Sequence, residues 1–123
     1  MQDYQKLTVW QRAVELAVDV YSVIRTFPSD EKYALSSQMK RAVTSIAINI
    51  AEGCGRDSKK ELTNFVHIAQ GSTSELECEL IIAQRLGFLN NSTAEEILDK
   101  VLEVKRMLWS FERKINPRLK TED

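Results

Sequence analysis

Residues 42–51 read Ala42-Val43-Thr44-Ser45-Ile46-Ala47-Ile48-Asn49-Ile50-Ala51, with Glu52 and Gly53 following. No other run in the chain is at once so apolar and so small. At helical spacing, Met39, Ala42, Ile46 and Ile50 form one stripe, and Val43, Ala47 and Ile50 form a second beside it. Two apolar stripes on one helix require burial on more than one side. This helix belongs at the centre of its own domain, and is also suited to packing against a second copy. The stretch speaks to architecture and is silent on chemistry.

The bulk composition agrees with a helical core. The chain has 123 residues, 43% hydrophobic and 28% charged, with four Gly and two Pro. So few helix breakers favour an all-α fold, and the length suits one domain over 1–123 with a sizeable core. A net charge of -1 excludes a polycation, so nucleic-acid binding requires a local patch. Cys54 and Cys78 lack metal-ligand spacing and His67 is the only histidine, which argues against a zinc site. Reduced thiols are expected over a disulfide. The start of the chain has no signal-peptide pattern, and no run reaches the ~20 apolar residues of a membrane span. The expectation is a cytoplasmic protein with no membrane role.

Four helices follow from punctuation and period, over 8–27, 30–52, 58–86 and 92–115. Thr8 to Gln11 reads as a capping box. Trp10, Ala13, Val14, Ala17, Tyr21 and Ile24 form the first core face, widened by Leu16, Val20, Val23 and Phe27. Pro28 ends that helix. Ser29 or Asp30 caps the second helix, and Gly53 and Gly55 close it in left-handed backbone. Ser58 to Glu61 is another capping box. The third helix buries Leu62, Phe65, Val66, Ala69, Leu76, Leu80 and Ala83, with Ile68, Gly71, Glu75, Ile82 and Leu86 on another side. Gly71 in mid-helix costs about 1 kcal/mol relative to Ala, so a close backbone neighbour is expected there. Gly87 is a C-cap with Phe88 folding back. Ser92 to Glu95 opens the fourth helix, which buries Ile97, Val101, Val104, Leu108, Phe111 and Ile115. Pro117 stops it, and 116–123 is a polar tail. Short loops make the simplest architecture an antiparallel up-down-up-down four-helix bundle.

Three constellations are candidates for function. Asn49, Glu52, Gly53 and Arg56 surround the end of the second helix. Asn49 and Glu52 tie that end to backbone or to Arg56, or the glycine turn receives an anion at the next helix N-terminus. The glycines lack a phosphate-loop ending. Gly71, Ser72 and Glu75 form the second constellation. It has no histidine or opposed carboxylate for acid–base work, so close packing is the sharper reading, with Glu75 meeting Arg41 or Arg56 across an interface. Glu75 and Glu79 are read as a solvated acidic face. The third is charge. Lys40, Arg41, Arg56, Lys59 and Lys60 gather around the second and third helices, and Lys105, Arg106, Arg113, Lys114, Arg118 and Lys120 around the fourth. Glu75, Glu77, Glu79, Glu95, Glu96, Asp99 and Glu103 lie between. Trp109 between Arg106 and Arg113 suits base stacking or a subunit contact. No catalytic residue, cofactor or metal ligand emerges.

The segments Leu7-Thr-Val-Trp10, Phe27-Pro28, Gln38-Met-Lys-Arg41, Asn49-Ile-Ala-Glu-Gly53, Gly55-Arg56 and Gly71-Ser72 with Glu75 resemble the 23S rRNA-intervening-sequence protein family, also called four helix bundle protein. The resemblance runs from about Tyr4 to Ile115. It implies a bacterial, left-handed antiparallel bundle assembled as a ring-like homopentamer, with no assigned molecular role. It is distantly similar in fold to the accessory variability protein of diversity-generating retroelements, a basic pentamer that works with nucleic acid. This chain departs from that type in being slightly acidic.

Two functions follow. One is a non-enzymatic, nucleic-acid-associated oligomer that binds RNA or DNA through Lys40, Arg41, Arg56, Lys59, Lys60, Arg106 and Arg113. The other is an assembly scaffold with a protein partner and no nucleic-acid role, which near-neutral charge and apolar outer faces suggest; Asn49, Glu52, Gly53, Gly71, Ser72, Glu75 and Trp109 are the structural or interface residues.

Overall fold

The computed structural model describes residues 3–31 and 34–117, with the side chain of Glu31 also left aside. Residues 32–33 of the expected second helix and 118–123 of the tail lie outside the described residues. The rest forms four helices: α1 Thr8–Ile24, α2 Leu35–Cys54, α3 Lys59–Arg85 and α4 Asn91–Ile115. No strand occurs among the described residues. α1 and α3 each pack on both α2 and α4, which makes a four-helix bundle around one core.

The opening stretch sits where its two stripes place it. Met39, Val43, Ile46 and Ile50 are fully buried and Ala42 nearly so. α4 presents every expected core residue, from Ile97 to Ile115. Each large aliphatic side chain buried this way contributes about 1.5–3 kcal/mol. α3 buries Val66, Ala69, Leu76, Leu80 and Ala83, while Leu62 and Phe65 are half-buried. Register follows the side-chain pairs. The start of α3 meets the end of α4, where Asn116 Nδ2 donates to Thr63 Oγ1 at 2.8 Å. The end of α3 meets the start of α4, where Gln84 Nε2 donates to Asn91 Oδ1 at 3.0 Å.

α1 is rotated from the expected face. Its buried residues are Val9, Ala13, Leu16, Val20 and Ile24. Trp10 is half-buried and packs edge-on against Tyr4 at 5.1 Å, and Tyr21 is exposed beneath Lys40. The apolar arc of α1 is wide, so the pattern alone does not locate its centre; contact with α2 and α4 does.

Three helix starts differ from expectation. Thr8 is the first residue of α1, not its cap, and Gln11 Nε2 donates to the Gln5 carbonyl at 2.9 Å. A 3-10 turn at Tyr4–Lys6, begun by Asp3 accepting from the Gln5 amide, brings that carbonyl into reach. Ser29 and Asp30 belong to their own 3-10 turn, Ser29–Glu31, and α2 begins at Leu35 without a side-chain cap. Asn90, not Ser92, caps α4: its Oδ1 accepts from the Thr93 amide at 2.8 Å. Asn is as good a cap as Ser and comes first in the chain. Ser58 behaves as expected and accepts from the Glu61 amide at 3.1 Å. α1 also ends early, at Ile24, because Thr26 and Phe27 turn back onto the Val23 and Ile24 carbonyls.

The glycines divide by physical role. Gly87 closes α3 in left-handed backbone, φ 81°, and Phe88 folds back onto Phe27 with ring centroids 5.4 Å apart. Gly53 and Gly55 do not adopt left-handed angles. Gly53 lies inside α2 and serves by its size: an added Cβ would stand 2.9 Å from both Leu62 Cδ1 and Phe65 Cβ. Gly71 meets nothing within 4 Å, so the expected close backbone neighbour is absent from the chain's own fold.

Gly53→Ala is expected to lower stability by about 1–3 kcal/mol, because Phe65 Cβ cannot swing aside without moving α3. Urea unfolding measures it, and an unchanged midpoint would refute the close-packing role.

Candidate nucleic-acid interface

α2 ends at Cys54 and α3 begins at Lys59, so the connection holds Arg56 and feeds Lys59 and Lys60 into the first turn of α3. The last turn of α4 contributes Lys114 at the same end. Three adjoining grooves show the convergence. The first is bordered by Arg56, Ser58, Lys59 and Lys114 over Leu62 and Phe111. The second runs between Lys6, Thr8, Arg106 and Lys114. The third lies between Lys59, Lys60, His67, Glu112 and Asn116. Lys59 and Lys114 each border two of them. Two basic clusters far apart in sequence thus share one end of the bundle.

Lys6, Lys59, Lys60, Arg106 and Lys114 form no ion pair among the described residues. Arg56 is held by Glu52 at 3.3 Å and lies over the Phe65 ring at 4.9 Å. Lys6 is the member that sequence reasoning missed, since only tertiary packing brings the chain start to the end of α4. Lys40 and Arg41 do not join this end. At about 1.5 Å per residue they sit roughly 20 Å or more from Arg56 along α2. Lys40 Nζ lies 5.4 Å from the Tyr21 ring. Arg118 and Lys120 lie outside the described residues.

Trp109 projects from α4 away from the core, 58% exposed, with the Arg113 guanidinium 4.1 Å from its ring. Arg106 borders both the groove beside Trp109 and the one beside Lys114. Lys105 in that groove is drawn to Glu77 at 3.0 Å. The acidic block is accordingly dispersed: Glu77 pairs with Lys105 and Glu103 with Arg12.

The remaining candidates are structural. Asn49 Nδ2 donates to the Ser45 carbonyl and to Ser45 Oγ, at 2.8 and 2.9 Å. Ser72 Oγ donates to the same Ser45 Oγ at 2.8 Å, which links α3 to α2. Asn49 therefore ties into its own helix rather than to a neighbouring backbone, and Glu52 meets Arg56 as expected. Glu75 is exposed and forms no ion pair among the described residues. Glu79 is not on a solvated face: it is 5% exposed. Cys54 is buried and unbonded, and burial pushes its thiol above the ordinary range, which makes it a poor nucleophile. Cys78 is a free, exposed thiol.

His67 Nε2 lies 2.8 Å from Glu112 Oε2, and Gln70 Nε2 donates to Glu112 Oε1 at 2.8 Å. Burial would raise the Glu112 carboxyl. The hydrogen bonds with His67 and Gln70, and the charges of His67 and Arg113, outweigh it and hold the carboxyl below its usual range.

The family described as 23S rRNA-intervening sequence protein matches residues 5–110. Among solved structures, the chain is similar to a protein of unknown function from the S23 ribosomal protein family of Bacteroides thetaiotaomicron VPI-5482. The two are 25% identical, with 86% of this chain and 99% of that chain covered and a TM-score of 0.81. No curated protein matches.

Glu112→Ala is expected to cost about 1–3 kcal/mol near neutral pH, because it strips a partner from both His67 and Gln70. A lowered carboxyl contributes stability that is in place above its ordinary value of 4.5 and fades as pH falls through the lowered one. The loss should therefore shrink in acid, and urea titrations showing equal losses at both pH values would overturn this account.

Proposed function

The chain belongs to the 23S rRNA-intervening sequence protein family, and from that premise we propose that it is a non-enzymatic oligomer that holds an RNA or DNA backbone against the basic end of the bundle. The observation that carries this reading is the gathering of Lys6, Lys59, Lys60, Arg106 and Lys114, without ion pairs among the described residues, around adjoining grooves. Phosphates supply acceptors for such cations, and backbone contact needs no sequence code. Trp109 adds an exposed ring beside Arg106, on which a base stacks. A net charge of -1 keeps a single patch weak. Repetition in a homo-oligomer, a pentamer as the family resemblance implies, converts weak patches into avidity. No described helix is long and apolar enough to cross a membrane, and the proposal places the protein in the cytoplasm.

A scaffold with a protein partner is the second reading, and a specific surface favours it. Ile48 on α2 and Ile68, Ile82 and Leu86 on α3 are exposed. Exposed apolar side chains on two neighbouring helices suit contact with a second copy or another protein.

Labelled structured RNA and duplex DNA, titrated across a range of salt, test the first reading. Replacing Lys59, Lys60 and Lys114 together by Ala should weaken binding at low salt at least tenfold. It should also flatten the logarithmic salt slope by about 2–3, near 0.9 per lost contact on B-DNA. Arg41→Ala, remote from this end, should leave the slope unchanged. An unaltered slope in the triple variant would remove the basic end from binding. For the second reading, Gly71→Leu adds a side chain where the chain's own fold has room, so helix content should hold while the mass from light scattering falls. A wild-type mass would take Gly71 out of any subunit contact.

A further inference from the structure

Among the described residues, Glu79 is a carboxyl sealed inside the bundle. It is 5% exposed, and neither carboxyl oxygen receives a hydrogen bond from a described residue. An ionised carboxylate sealed away without donors is costly. Position explains the burial. Glu79 follows Ser72 by seven residues, so it shares the stripe of α3 that meets α2, where Ser72 bonds Ser45. It lies beside Leu76 and Leu80, both fully buried.

Among the described residues, two charged groups act on it. Glu75 stands one turn earlier on α3, and the charge of Arg41 on α2 acts from across the seam. Lys40, the neighbouring cation on α2, is turned to Tyr21 on α1. Lys105, from α4, is taken by Glu77. Arg41 is exposed and forms no ion pair with Glu79 among the described residues. A partner protein is no remedy, since both oxygens are already closed off by the chain itself. A proton is small enough to reach them and turns Glu79 into a donor toward Glu75.

We infer that Glu79 is a proton-binding site built into the α2–α3 contact, occupied when the two helices pack tightly and emptied at the expense of that packing. Burial, then the charge of Glu75, push the Glu79 carboxyl up to about 7, against the opposing pull of Arg41. In the unfolded chain it returns to about 4.5. Between those values the folded protein keeps a proton that the unfolded chain has released. The folding constant therefore falls as pH rises from about 4.5 to about 7, by up to about tenfold per pH unit, and levels off above.

The experiment pairs urea unfolding across pH 5–8.5 with NMR of the glutamate side-chain carboxyl carbons in the full chain. Wild type should lose folding constant as pH rises from 5 to about 7 and level off above, and Glu79→Gln, which keeps shape without charge, should lose most of that dependence. One carboxyl resonance of the folded wild type should titrate near neutrality and be missing in the variant. Equal pH dependence in both proteins would overturn the proposal. If Glu79→Gln fails to fold, the wild-type spectra decide: every glutamate titrating in the ordinary carboxylate range would overturn it equally.

Discussion

At Gly53, α2 lies so near α3 that one added carbon would stand 2.9 Å from Leu62 and from Phe65. That approach sets the geometry around it. It lets Arg56 reach back to Glu52 while lying on the Phe65 ring. It places the start of α3, with Lys59 and Lys60, against the end of α2. Farther along the same seam, Ser45 and Ser72 meet, and farther still Glu79 is enclosed. A wider seam would leave those hydroxyls and that carboxyl to water. Close packing of one glycine therefore governs both the cations at one end and the buried acid toward the other.

Residue pattern carried much of the bundle. The double stripe from Met39 to Ile50 and the single stripe from Ile97 to Ile115 are legible because their apolar residues recur at unbroken three- and four-residue spacing. α1 was not legible in detail, since Val9 to Val23 is apolar through too wide an arc for a centre to be read. The cap at Asn90 was missed because Ser92 with Glu95 made a more familiar signature. The sequence around Gly53 suggests a backbone role where the actual role is steric, and mid-helix Gly71 suggests a close neighbour that the chain's own fold does not supply. Such distinctions need the facing helix, which no local window contains.

The candidate site was legible as parts and not as a whole. Arg56, Lys59 and Lys60 are neighbours in sequence, and Arg106, Arg113 and Lys114 share a helix. That the two sets meet, and that Lys6 joins them, is a consequence of tertiary packing. Glu79 was misread for a different reason. One turn from Glu75, it looks like half of a solvated pair. The contrary signal was its heptad spacing from Ser72 and its place between Leu76, Leu80 and Ala83. Glu79 and Glu112 are also opposites: one carboxyl is buried without donors, the other with His67 and Gln70 in contact, and their pH responses have opposite sign.

The tight turn at Gly87 bears on the order of assembly. α3 and α4 are joined by a few residues and fastened at both ends, by Gln84 with Asn91 and by Thr63 with Asn116. Contacts of that kind close with little loop entropy and propagate outward from the turn. The tie between Lys100 and Asp19 bridges 81 positions along the chain and closes a far larger loop. The topology thus offers two local helix pairs, α2–α3 and α3–α4, each closed by a connection of a few residues, onto which α1 condenses. Lys59, Lys60 and Lys114 all belong to the α3–α4 pair, so a single local helix pairing brings three cations of the basic end into register.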